Sequence, residues 1–234
     1  MDNKTIFPSQ IVFEQTEDHL HITFTTPFVS LSSAVFNGGF QDVNHLLNLK
    51  VPKKYCHHDT PANSLNNYCR QHQWKGLAVG MMTAASMKSL RIRQARVENI
   101  DILILVTAGL SNPRRAGDYA ECRTLSTRSV THDTINIILI STASFTSAAM
   151  VEAVMIITEA KAAALQTLNI KSPISNQLAT GTGTDSVILA TQKTAKLCIE
   201  FCGKHTLMGE LIGQLVIEAV RDSIQWDREN NNYD

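Results

Sequence analysis

Short polar segments carry the residues of this sequence that could do chemistry. One reads ATGTGTDSV at 179–187 and combines two glycines, several threonine hydroxyls and the carboxylate of Asp185. Another reads GKHT at 203–206 and contains His205, whose imidazole can accept and return a proton near neutral pH. Segments of this kind can form a phosphate cradle, a catalytic loop, or only a turn between strands.

The segment 179–187 does not match the common phosphate-binding motifs. A P-loop requires G-x-x-x-x-G-K-[ST], but here the glycines stand two positions apart and no lysine follows. A dinucleotide fingerprint requires a third glycine and a helix, but the apolar run at 187–189 predicts a strand. We therefore predict a tight site loop that presents hydroxyls and a carboxylate to an uncharged ligand, with a simple hairpin turn as the alternative.

Three further polar segments stand where apolar runs end. They are SSAVFNGG at 32–39, MMTAA at 81–85 and TAGLSN at 107–112, and RRAGD follows the last of these at 114–118. Strand ends rich in Gly, Ser, Thr and Asn can present hydroxyls, amides and backbone N–H groups to a ligand. Each could be only a turn, but together with 181–185 and 203–206 they predict one shared hollow.

Several strands must position these segments. Apolar and polar alternation predicts a hairpin within residues 1–27, with Thr16-Glu17-Asp18 as its turn. Further strands are predicted at 29–35, 76–85, 99–109, 136–141 and 186–191.

Two long helices are expected beside these strands, at 146–168 and 206–228, and a shorter helix at 63–73 with Asn63 as its N-cap. A flexible tail is expected at 229–234. Because strict strand–helix–strand alternation is missing, we predict a single α+β domain over 1–234. Its mixed, largely antiparallel sheet packs against the two long helices, and a doubly wound fold is the alternative.

Charge and hydropathy narrow the expected partners. The 21 basic and 21 acidic residues give a formal net charge of zero, so no global field favours nucleic acid or anionic lipid. No export signal or apolar run of ~18 residues is present, which predicts a cytoplasmic protein without a membrane segment. A small molecule or a second copy of the chain is the expected partner.

The cysteines and histidines give only weak metal signals. Five cysteines at irregular spacing do not suggest a disulfide framework, and Cys198 and Cys202 are expected in the core. The run Cys56-His57-His58-Asp59, with Cys69 and His72 further on, could contribute zinc ligands, but a polar surface loop is the favoured interpretation. We predict no metal site.

Seven segments spread over roughly residues 28–226 carry a resemblance to a known family. They are SSAVFNGGF (32–40), GMMTAA (80–85), TAGLSNPRRAGD (107–118), INIILI (135–140), VEAVMIITEAKAAAL (151–165), ATGTGTDSV (179–187) and GKHTLMGELIG (203–213). As an ordered series they resemble the adenosylcobinamide amidohydrolases, the CbiZ family. Pro113 departs from the family pattern, in which alanine is more frequent at this position.

The resemblance implies a corrinoid-salvage enzyme that hydrolyses the amide joining aminopropanol to the corrin ring of adenosylcobinamide, giving adenosylcobyric acid. It implies no separate cofactor, because the cobalt belongs to the corrinoid substrate. The alternatives are a corrinoid-binding protein without catalytic activity and a nucleotide-binding hydrolase that uses the Gly-Thr loop.

Amide hydrolysis requires a nucleophile or positioned water, donors for the oxyanion, and an acid for the departing amine. We predict His205 as the proton carrier, and Asp185 as its orienting group or base with Asp118 as an alternative. For the nucleophile the sequence offers the hydroxyls of Ser32, Ser33, Thr182 and Thr184 or an activated water, and we assign the catalytic role to Ser32. Asn37, with the amides of Gly38 and Gly39, is the predicted oxyanion donor, and the amides of Gly181 and Gly183 are the alternative. The predicted substrate-binding residues are Ser33, Gly38, Gly39, Met82, Thr83, Asn112, Arg115, Asp118, Glu152, Thr182, Gly183 and Thr184.

Glu152 and Glu159 share one face of the predicted long helix. An inward Glu152 would need a buried partner such as Arg114, Arg115 or Asn136, whereas Glu159 is expected on the solvated face.

Overall fold

The computed structural model describes residues 7–52, 60–121 and 133–231. Its strands are β1 (Ile11–Gln15), β2 (His19–Ser32), β3 (Gly39–Lys50), β4 (Ala78–Thr83), β5 (Arg91–Val97), β6 (Ile100–Ala108), β7 (Pro113–Arg114), β8 (Ile135–Ser141), β9 (Ser144–Phe145), β10 (Gly181–Thr182), β11 (Ser186–Gln192) and β12 (Cys198–Ile199). The helices are α1 (Pro61–Gln71), α2 (Ser147–Thr167) and α3 (Leu207–Asn230).

Eight of the strands form one mixed sheet in the order β4-β3-β2-β11-β8-β6-β5, with β1 paired to β2 outside this path. Only β3–β4 and β8–β11 are parallel, and the other pairs in this sheet are antiparallel. The predicted α+β class with a largely antiparallel sheet is therefore confirmed, and the doubly wound alternative is excluded. The N-terminal hairpin is present as β1–β2, whereas β3 and β5 were not predicted.

A threonine caps each of the three α-helices. The Oγ1 atoms of Thr60, Thr146 and Thr206 accept hydrogen bonds from backbone amides three residues further on, which satisfies one free N–H of each first turn. The prediction of Asn63 as the first cap was wrong, because α1 begins two residues earlier with Pro61. Helix α3 extends to Asn230, beyond its predicted end at residue 228.

The sheet folds back on itself. Three strands separate β3 from β6, which in a flat sheet would place them roughly 19 Å apart at ~4.8 Å per spacing. The Asn48 side chain on β3 nevertheless donates to Thr107 Oγ1 on β6 at 2.8 Å. The pairing of β2 with β3 shifts register between Thr23 and Phe28, and the two halves of the sheet face each other across a shared apolar core.

Helices cover both outer faces of this folded sheet. Helices α2 and α3 pack against the β5–β6–β8–β11 half, where Ile104, Ile137 and Leu189 are buried. Helix α1 packs against the other half through Leu65 and Cys69. The molecule therefore has four layers, with helices outside and two β layers inside. Within the described ranges, no helix is long and apolar enough to span a membrane.

Histidine side chains cluster with aromatic rings on the outer face of the β1–β3 hairpins. His21 stacks on Trp74 with ring centroids 3.6 Å apart, and its Nε2 lies 3.2 Å from His45 Nδ1. His19 Nδ1 lies 2.9 Å from the Tyr68 hydroxyl. Burial, reinforced by the neighbouring His45, lowers the pKa of His21 from 6.5 to about 4. His21 is therefore neutral at physiological pH.

This lowered pKa predicts a stability loss in mild acid. Between pH 6.5 and pH 4 the unfolded chain binds a proton at His21 that the folded protein does not bind. Lowering the pH through this range therefore reduces the free energy of unfolding, by at most about 3 kcal/mol. Urea denaturation at pH 7.0, 6.0, 5.0 and 4.5 measures this loss. His21→Phe keeps a ring on Trp74 without a titrating group, and its stability should fall less over the same range. If the free energy of unfolding depends on pH in the same way in both proteins, His21 is not the cause of the loss.

Candidate active site

A row of polar side chains crosses one end of the space between the two β layers. Thr107, Asn136 and Ser186 are register partners on the adjacent strands β6, β8 and β11. Each stands two positions along its strand from a residue that faces the inter-layer core, Leu105, Ile138 or Ile188, and therefore points to the same side of the sheet. From the opposite layer, Asn48 and Thr83 point into the same space, as do Leu46 and Met81 two positions earlier on their strands.

Asn136 is the centre of this polar row. Its Nδ2 donates to Asn48 Oδ1 at 2.8 Å and to the Met82 carbonyl at 3.0 Å, so both of its N–H groups are engaged. The Asn48 amide in turn donates to Thr107, and Thr134 donates to Thr83 at 3.0 Å. Asn136 is only 1% exposed, and its Oδ1 has no hydrogen-bond partner among the described residues. A buried carbonyl oxygen of this kind is costly without a donor, and a water or the N–H or O–H group of a ligand would satisfy it.

Ser33 forms the solvent-exposed end of the polar row. Its Oγ accepts a hydrogen bond from the Val187 amide at 3.0 Å and lies 3.3 Å from the Ser186 hydroxyl. The Ser33 amide donates to the Val187 carbonyl, so the residue is held to β11 from both sides. The polar row therefore runs from an accessible hydroxyl at Ser33 to the buried amide of Asn136.

The Gly-Thr loop closes around its own carboxylate. Asp185 accepts hydrogen bonds from the Thr182 amide and hydroxyl and from the Ile135 amide, and it forms an ion pair with Lys161 of α2. The loop thus does not offer this carboxylate as a free base. Thr184 and Gly183 at its tip are exposed, and Thr182 is half-buried.

The segment 107–118 lies against this loop. Strand β7 pairs with β10, and Asn112 Nδ2 lies near Gly183. Arg115 donates to the Leu178 carbonyl, while Asp118 accepts from the Arg115 amide and from Ser172. The Ser172 hydrogen bond is the largest contribution that lowers the pKa of Asp118 below its ordinary value. The structure therefore brings Asn112, Arg115 and Asp118 to the loop but commits Asp118 to local contacts.

The β2–β3 turn holds the other predicted residues of segment 32–39. Asn37 has a φ of +52° and donates its side-chain N–H to the Ala78 carbonyl at 2.8 Å, which ties the turn to β4. Ser32 Oγ accepts from the Ala34 amide, and Gly38 packs so closely on Ala34 that a Cβ would overlap its carbonyl. Gly39 adopts a φ of +85°, a conformation that favours glycine. These residues shape the turn beside Ser33.

Glu152 and His205 do not join the other predicted site residues. Glu152 Oε2 accepts from the Cys202 amide at 2.6 Å and not from Arg114, Arg115 or Asn136. His205 is exposed, one residue before the N-cap of α3. The C-terminal end of α3 lies near the end of β6 that carries Thr107, because Asp227 accepts a hydrogen bond from the Leu110 amide. At ~1.5 Å per residue, His205 lies roughly 33 Å along the helix from that point. The structure therefore does not form the predicted hollow with segment 203–206.

The cysteines lie far apart in the described part of the chain, and the histidine cluster there is not arranged as a metal site. Cys202 is buried, and burial together with Glu152 raises its pKa to about 12, whereas Cys198 is exposed, against the prediction of a core position. Cys69 packs in the α1 core. The described ranges contain no group of three His, Cys, Asp or Glu side chains placed to hold a metal ion. Residues 56–59 lie outside the described residues.

A family comparison covers nearly the whole chain. Residues 4–232 match the family model described as adenosylcobinamide amidohydrolase, CbiZ. The chain belongs to this family. A protein named adenosylcobinamide amidohydrolase from Methanosarcina mazei is 28% identical over 202 residues, covering 82% of this chain and 88% of that protein. An uncharacterized protein of Methanocaldococcus jannaschii is 30% identical over 205 residues, covering 80% and 78% of the two chains.

Among solved structures, the L-aminopeptidase D-Ala-esterase/amidase of Ochrobactrum anthropi is similar at 10% identity and a TM-score of 0.40. The match covers 96% of this chain and 85% of that one. A likeness this loose does not bear on chemistry. The CbiZ assignment therefore depends on the sequence relationship.

Sequence reasoning did not name Asn48 or Lys161 as site residues, and it considered Asn136 only as a partner for Glu152. Thr107 and Ser186 fall within the predicted segments 107–112 and 179–187 but were not assigned a role. One signal was available for Asn136. Asn136 carries the single polar side chain within the apolar run INIILI. A polar side chain inside a strand that is buried on both faces requires a hydrogen-bond partner.

Proposed function

We propose that this protein hydrolyses the amide between aminopropanol and the corrin ring of adenosylcobinamide, releasing aminopropanol and adenosylcobyric acid. Membership of the CbiZ family supports the substrate class. The observation that supports the reaction type is the polar row. It begins with an accessible hydroxyl at Ser33 and ends at a buried acceptor, Asn136 Oδ1, that has no hydrogen-bond partner among the described residues. Cobalt enters with the corrinoid, so the proposal requires no resident metal.

In this proposal Ser33 is the nucleophile. Its Oγ attacks the amide carbonyl carbon, the C–N bond breaks, and the amine leaves with the proton that the hydroxyl gives up. Water then hydrolyses the ester on Ser33 and releases the carboxylic acid. Asn136 Oδ1 accepts a hydrogen bond from the substrate amide N–H and so fixes the orientation of the scissile bond. His205 takes no part, because it lies at the other end of α3.

A pocket lies near the buried end of the polar row, although the residues of the row do not themselves line it. A cavity of about 260 Å³ is lined by Ala84, Ala85 and Asp133, which are chain neighbours of Thr83 and Thr134. The corrin ring is much larger than this cavity and would remain on the open side near Ser33.

Incubation of the protein with adenosylcobinamide, followed by mass analysis, tests the reaction. We expect adenosylcobyric acid and free aminopropanol in equal amounts, with no products when adenosylcobyric acid replaces the substrate. A melting temperature raised by adenosylcobinamide without product formation would support a binding protein in place of an enzyme. Absence of both effects would refute the proposed function.

A further inference from the structure

We propose that Lys161 is a positioning residue for this site and that it acts through Asp185. The inference rests on the proposed function, because the residues it positions are those assigned to the reaction. Lys161 belongs to α2, which covers the face of the sheet opposite to the polar row, and its side chain pairs with Asp185.

The Lys161–Asp185 ion pair differs from the other ion pairs in the described ranges. Its two side chains are 11% and 10% exposed, whereas every other described pair has at least one member exposed by a quarter or more. Burial of two charges is costly, and an apolar pair of similar volume often stabilises a protein as well or better. A purpose other than stability is therefore indicated.

The pair joins three separate parts of the chain at one point. Asp185 Oδ1 accepts from the Ile135 amide at 3.0 Å, and Oδ2 accepts from the Thr182 amide at 3.0 Å and pairs with Lys161. Ile135 begins β8 and Asp185 directly precedes β11. The Asp185 carboxylate thus connects the beginnings of the parallel strands β8 and β11. This connection lies one residue before Asn136 and Ser186, the first pair of the β8–β11 ladder.

The residues held by this link are the central ones of the polar row. Asn136 follows Ile135, Ser186 follows Asp185, and the two are register partners. Val187, which donates to Ser33 Oγ, comes next on β11. A shift of Asp185 would therefore change the distance between Ser33 and Asn136, the two groups proposed to act on the same amide bond.

Gly181 provides the space that the ion pair occupies. A Cβ at this position would overlap Asp185 Oδ2 and would lie 2.9 Å from Lys161 Nζ. The ion pair therefore requires a glycine at this position of the Gly-Thr loop.

Kinetics of Lys161→Met, Lys161→Arg and Gly181→Ala test the inference. Because small displacements of reacting groups can cost up to about 100-fold, we expect Lys161→Met to lower kcat by about 10- to 100-fold with KM changed by less than about threefold. Lys161→Arg should restore most of the loss, and Gly181→Ala, which keeps both charges, should show the same selective fall in kcat. The matched control Lys193→Met removes the exposed ion pair with Asp42 and should stay within about twofold of the unmodified protein.

Hydrogen exchange of peptides covering 133–141 and 186–192 provides a readout that does not depend on activity. In Lys161→Met we expect faster exchange there, with peptides from α3 unchanged. Unchanged exchange in these two peptides, or an unchanged kcat, would overturn the inference. If the unmodified protein does not cleave adenosylcobinamide, the proposed function fails, and the exchange data still decide whether Lys161 positions the strand ends. If Lys161→Met does not fold, Gly181→Ala and Lys161→Arg provide the same tests.

Discussion

Ser33→Ala is expected to lower kcat for adenosylcobinamide hydrolysis by at least about 1,000-fold, because it removes the attacking atom while leaving the binding groups in place. The side chain is exposed and its hydroxyl is held by the Val187 amide, so its removal should have little effect on stability. Steady-state assays give kcat, and a thermal melt confirms folding. Rapid quenching of the unmodified protein with substrate should reveal a mass increase on the Ser33 peptide.

A serine outside the site serves as the control for this variant. Ser144 lies on β9 and donates its hydroxyl to the Leu197 carbonyl, so Ser144→Ala also removes one hydroxyl contact. It should retain full activity. If Ser33→Ala keeps more than a tenth of the turnover and no acyl adduct forms, an activated water is the nucleophile, as the sequence left open, and Ser33 only binds.

Asn136→Ala should reduce both stability and turnover. The substitution removes the donor of the buried Asn48 Oδ1, which costs about 1–3 kcal/mol, and that of the half-buried Met82 carbonyl, which costs less because water can replace the donor. Loss of the Oδ1 acceptor should also lower kcat/KM by about 100-fold, because the amide bond is no longer oriented. Urea denaturation and steady-state kinetics measure the two effects separately.

Two further variants separate the structural and functional parts of this effect. Asn48→Ala breaks the same network but leaves Asn136 bonded to Met82, so it should cost stability with a smaller loss of turnover. Asn230→Ala removes an exposed side-chain hydrogen bond on α3 and should change neither quantity. If Asn136→Ala and Asn48→Ala lose the same turnover, Asn136 has only a structural role.

The fold class and the elements with clear periodicity could be predicted from the sequence. The two long helices and strands β4, β6, β8 and β11 were confirmed, because apolar runs and helix-forming residues mark them. Strand β3 was missed, since α1 covers one face and the inter-layer core the other, so that Leu46, Leu47 and Leu49 are all buried and alternation is lost. Strand β5 was missed because it lies at the sheet edge and its arginines interrupt the apolar pattern.

The site could be predicted only in part, for reasons of topology. Polar strand ends identified Ser33, Met82 and Thr83, which lie at the polar row. The same logic included His205, although a 24-residue helix separates that position from the strand ends. The fold-back of the sheet, which brings Asn48 to Asn136, has no local signal, because it depends on pairing between segments far apart in the chain.

The folded-back sheet also governs how the protein acquires activity. Three hydrogen bonds of the polar row join residues that are separated along the chain by 59, 88 and 153 positions. They therefore close some of the largest loops in the chain. Long-range closures of this kind slow folding, because their entropic cost precedes the stabilising contacts. Helices α1, α2 and α3 can form from local interactions well before Ser33 meets Ser186. During refolding, recovery of catalysis should therefore lag behind recovery of helical circular dichroism.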